Sequence, residues 1–69
     1  MKAGTHVHYH PPGMPGTVAP PELGHLLACD EAFVAVVVVD YLDGRRATHD
    51  AVPQCDPLAP VAGSWSVIL

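Results

Sequence analysis

Apolar and polar positions alternate strictly over residues 4–10, GTHVHYH, which predicts a strand. Thr5, Val7 and Tyr9 fall on one face of it and His6, His8 and His10 on the other. Pro11, Pro12 and Gly13 end that strand, and residues 11–24 hold five of the eight prolines and three of the six glycines. This composition predicts a loop of extended backbone, long enough to be a binding loop, with a short helical turn over 21–26 as an alternative at its end. Residues 25–30, HLLACD, predict a second short strand, and Asp30 and Glu31 a turn after it. The densest apolar segment is 33–41, FVAVVVVDY. Its β-branched content predicts a strand, and Val on both faces predicts cover on both sides.

Asp43 and Gly44 then predict a two-residue type I′ hairpin, in which both central positions take positive φ. That turn sets Leu42 opposite Arg45, Val39 opposite Thr48 and Val37 opposite Asp50. The return strand runs from about 45 to 52, and Pro53 stops it by removing a ladder donor. Residues 53–63, PQCDPLAPVAG, form a second Pro-rich loop, and SWSVIL at 64–69 a last strand with Trp65, Val67 and Leu69 on one face. Five short strands and two Pro-rich loops predict an all-β fold, a small closed or nearly closed barrel, with Val37, Val39, Val52 and Trp65 in one core.

Sixty-nine residues make one domain, 1–69, with a core near the lower limit of independent stability. The chain is 49% hydrophobic and 14% charged, too apolar for a disordered segment. Such a chain is too short to hide all its apolar surface, so a protein partner or self-association is expected to cover part of it. The net charge is −4 and only Lys2, Arg45 and Arg46 are basic, which argues against nucleic acid and anionic membranes as partners. The apolar run from Phe33 to Val39 is too short to span a bilayer, and no apolar segment follows Lys2 as in a signal peptide. A soluble, cytosolic protein is the expectation. Cys29 and Cys55, 26 residues apart, match no zinc or redox spacing and are expected to be free thiols.

Three constellations are candidates for chemistry. His6, His8 and His10 project from one strand face about 7 Å apart. That face is either a row of polar rings or, with His25, His49, Cys29 or Cys55, a zinc site. Ser64, Ser66, Cys29 and Cys55 lack the local context that activates a nucleophile, and the acidic residues suit turns better than paired acid–base work, so no enzyme and no cofactor are expected. Trp65, the only Trp, is expected to plug the core. Tyr9, Pro11, Pro12 and Met14, at and after the end of the first strand, are the candidate binding residues, because loops carry recognition more often than strands.

VVVVDYLDG at 36–44, AVP at 51–53, CDP at 55–57, GSW at 63–65 and the opening GTHVHYHPPG at 4–13 together resemble small SH3-like barrel proteins encoded by actinobacterial phages and prophages. The resemblance covers most of the chain and departs from the family pattern after Trp65, where Ser-Val-Ile-Leu replaces a His-Trp-Pro type tail. It implies a five-stranded SH3-like barrel in the host cytoplasm or the virion. The role it suggests is a structural module, such as a virion decoration or head–tail accessory protein. A phage regulator or anti-defence protein that binds a host factor, and a small His-based metal-binding domain, are the alternatives.

Overall fold

The computed structural model describes residues 2–13 and 19–69. It contains five strands: β1 (His6–His10), β2 (Glu22–Cys29), β3 (Ala35–Asp40), β4 (Arg46–Val52) and β5 (Ser64–Val67). All pair antiparallel in one sheet of order β4-β3-β2-β1-β5. The second strand begins at Glu22, so the helical alternative over 21–26 is replaced by extended chain. Ladders on both sides hold β2. Gly24 allows the close approach there: a Cβ would stand 2.9 Å from the Val38 carbonyl oxygen.

The expected SH3-like barrel does not form. The sheet is open, with β4 and β5 as its two edges, and is not closed or curled into a barrel. Pro53 ends β4, and only the segment beyond it reaches β5. There Trp65 N donates to Pro53 O at 3.0 Å and Cys55 N donates to Trp65 O at 2.8 Å. This is a single parallel bridge between Gln54 and Trp65, and no ladder joins β4 to β5. Residues 56–59 form a tight turn, in which the Asp56 carboxylate accepts from Leu58 N at 2.9 Å.

The β3–β4 hairpin differs from the two-residue expectation. Gly44 N donates to Tyr41 O at 3.0 Å and Tyr41 N to Arg45 O at 2.8 Å, which makes a three-residue loop. Only Gly44, at φ 89°, takes positive φ in it; Asp43 stays in the ordinary region and its carboxylate accepts from Arg45 N. Val37 therefore pairs with His49, Val38 with Thr48 and Val39 with Ala47, one residue off the expected register. A one-residue slip turns every side chain to the other face. Ala47 and His49 face the core side, and Thr48 and Asp50 are exposed. The ladder then shifts again between Val37 and Ala35, so that Asp50 and Ala51 together oppose Val36, with Ala51 at φ 53°. This bulge returns Val52 to the position opposite Ala35.

The core therefore contains the expected Val37, Val39, Val52 and Trp65, together with Val7, Tyr9, Leu26 and Ala35. Trp65 is fully buried, and its indole N–H donates to Phe33 O at 3.1 Å, tying β5 to the β2–β3 turn. Asp30 organises that turn by accepting from Ala32 N and Val34 N, and Phe33 takes φ 59° within it. Val38, on the opposite face from Val37 and Val39, is buried as well, in keeping with cover on both sides of β3.

Candidate binding site on the histidine face

β1 alternates as the sequence predicts: Val7 and Tyr9 are buried, His6 is exposed, and His8 and His10 are half-buried. β1 is an inner strand, between β2 and β5. Its histidines consequently have neighbours on both sides. His6 lies opposite His25, with ring centroids 6.5 Å apart, and His8 opposite Leu23 on β2 and Ser66 on β5. Among the described residues, no three His, Cys, Asp or Glu side chains converge on a point where they could hold a metal ion.

His8 and His10 border a pocket of about 460 Å³. Its polar lining is His8, His10 and Ser66, and its walls include Pro11, Pro21, Pro57, Pro60, Val61 and Leu69. Two prolines come from each Pro-rich stretch, so both stretches contribute to one cavity. Among the described residues, no Asp, Glu, Lys or Arg lines it. His10 Nε2 and Ser66 Oγ are 2.7 Å apart. Burial holds His10 below the ordinary histidine pKa, because the charged ring loses solvation, and the neighbouring His8 adds to the effect. Ser64, also buried, donates its hydroxyl to Val61 O and so pins the wall segment to β5.

The four candidate binding residues are dispersed. Pro11 lines the pocket and Pro12 is exposed beside it. Tyr9 points into the core, where its ring stacks on His49 with centroids 4.1 Å apart. Burial, and then the nearby Glu22 carboxylate, raise the Tyr9 pKa. Met14 lies outside the described residues. Ser66 is a pocket residue whose pairing the sequence pattern does not reveal, since its partner His10 is 56 positions away. The pair stands at the distance required between a nucleophile and a base, but among the described residues no Asp or Glu side chain lines the pocket to orient the ring. The arrangement suits binding: a neutral polar patch inside apolar walls. Cys29 and Cys55 are free thiols.

No family model, no curated protein and no solved structure matches this chain. The likeness to phage-encoded barrels gains no support from them, and the barrel it implied is replaced by an open sheet.

Proposed function

We propose that this chain is a non-catalytic protein-binding module that takes an apolar group of its partner into the pocket between β1, β5 and the Pro-rich segments. The observation that carries this reading is the pocket itself. It has the volume of a typical ligand site and a mostly apolar lining with a few convergent polar groups. Its rim adds large apolar side chains that the fold leaves uncovered: Val61 is 60% exposed and Leu69 85%. Leu58, beside Pro57, is 82% exposed. Contiguous apolar surface of this kind marks interaction sites on soluble proteins. Nucleic acid fits poorly, because Arg45 and Arg46 are already paired with Asp43 and Asp40, each at 2.6 Å.

A photo-crosslinking residue placed at Val61, with Thr48 as the control position, tests the proposal in the cells of origin. A protein adduct at position 61 that is missing at 48 and lost in the Leu69→Asp background supports it, whether the adduct is a second copy or another protein. Equal labelling at both positions, or none at 61, overturns it.

A further inference from the structure

We infer that the pocket is selective for an uncharged aliphatic side chain flanked by neutral amide groups, and that it releases this group when its histidines take up protons. The inference rests on the protein-binding reading above and names the chemistry of the inserted segment. The lining supplies the argument. Prolines, Val61 and Leu69 provide apolar walls, and the only polar side chains among the described lining residues are His8, His10 and Ser66. With neutral rings, these three supply hydrogen-bond donors and acceptors without net charge. A carboxylate or ammonium entering such a space would leave water without meeting an opposite charge, which is costly. A peptide segment with a Leu-like side chain meets no such penalty, and its amides can pair with the imidazoles and the Ser66 hydroxyl.

The acid release follows from the same lining. From β1, His8 and His10 face the pocket; β5 contributes Ser66 and Val67, and the other described lining residues are prolines, alanines and aliphatic residues. The nearest acidic residues along the chain are engaged elsewhere: Glu22 lies opposite Tyr9, and Asp56 holds the Leu58 amide. No described Asp or Glu side chain is therefore placed in the pocket to neutralise a protonated His8 or His10. Burial already disfavours the charged form of His10. Filling the pocket with apolar ligand removes more water, so ligand and proton compete.

Three small probes that share one side chain test this: N-acetyl-leucine N-methylamide is neutral, N-acetyl-leucine anionic and N,N,N-trimethyl-leucine N-methylamide permanently cationic. Each is titrated into the isotope-labelled protein while the His8, His10 and Ser66 resonances are followed. At about pH 7.5 the neutral probe is expected to give saturable shifts at these residues and to bind about tenfold more tightly than either charged probe. At about pH 5.5 its affinity is expected to fall about tenfold, and in His8→Gln/His10→Gln protein, whatever its absolute affinity, the ratio of the affinities at the two pH values is expected to be close to one. Equal or tighter binding of a charged probe, binding that strengthens in acid, or no shift with any probe overturns the inference. The crosslinking result at Val61 is independent of these titrations. An adduct there without neutral-probe binding leaves the protein-binding reading standing and removes this one, and the opposite outcome removes only the first.

Discussion

Val7 and Tyr9 on β1 belong to the core, while His8 and His10, their immediate neighbours on the same strand, line an open pocket. The two faces use different means. The core face is held by close packing around Trp65 and by the absence of a side chain at Gly24. The histidine face is held by prolines and by the side-chain pair of His10 with Ser66, and its His8 and His10 remain only half-buried. Because the period of a strand is two, one five-residue element supplies both surfaces. Substitutions on one face can therefore be made without entering the other.

The largest expected effect is on the core side. Trp65→Ala removes a fully buried ring and leaves Phe33 O without its donor, and is expected to cost about 3–5 kcal/mol. A domain of this size has little more to lose, so chemical denaturation should find the variant largely unfolded. A small loss would show that the core does not depend on the β5 anchor. Next is Gly24→Ala. The new methyl meets backbone at Val38 O and the Val37 and Val39 side chains, so overpacking of about 1–3 kcal/mol is expected in the thermal midpoint. An unchanged midpoint would mean that β2 and β3 separate easily there.

Smaller effects belong to the histidine face. His10 ionises below its ordinary value in the fold, so the unfolded chain takes up that proton first. Its contribution to stability is whole above about pH 6.5, declines as pH falls from there through the lower folded pKa, and stays lost below. Urea midpoints measured across this window should slope downward toward acid, and His10→Gln should flatten the slope. The smallest change is expected for His6→Gln, within about 0.5 kcal/mol, since His6 is exposed and outside the pocket lining. For Ser66→Ala, hydrolysis of p-nitrophenyl acetate should match that of the unaltered protein. A saturable rate that disappears with Ser66 would instead give the histidine face a chemistry that the binding reading denies it.

Much of the core face was legible in the sequence because it depends on local periodicity. The alternation of residues 4–10 places Val7 and Tyr9 inward, and the Val run with Trp65 supplies most of the remainder. The facing of β4 was not legible. Asp43 and Gly44 suit both a two-residue and a three-residue loop, and the choice turns on whether Asp43 accepts positive φ or caps Arg45 N instead. Sheet closure was overestimated for a related reason: strand count says nothing of whether the last two edges meet, and here Pro53 leaves them a single bridge. The pocket was only half visible. His8, His10 and Pro11 are adjacent in sequence, but Ser66, Val61 and Leu69 reach them only through the pairing of β5 with β1.

The bulge at Asp50 and Ala51 has a consequence beyond the facing of one strand. A two-residue loop with no bulge and a three-residue loop with this bulge both end with Val52 opposite Ala35. The hairpin thus has two pairings that share their endpoints and differ only in where one surplus residue is stored. In one pairing Ala47 and His49 turn inward; in the other Thr48 and Asp50 do. The cost of turning the Asp50 carboxylate toward the core, opposite Val37, selects the first. The surplus residue behaves as a movable dislocation in a short crystal: polarity on β4 decides its resting place. Exchanging the inward and outward residues of β4 would drive it to the turn, giving the edge a new outer surface while the rest of the sheet kept its register.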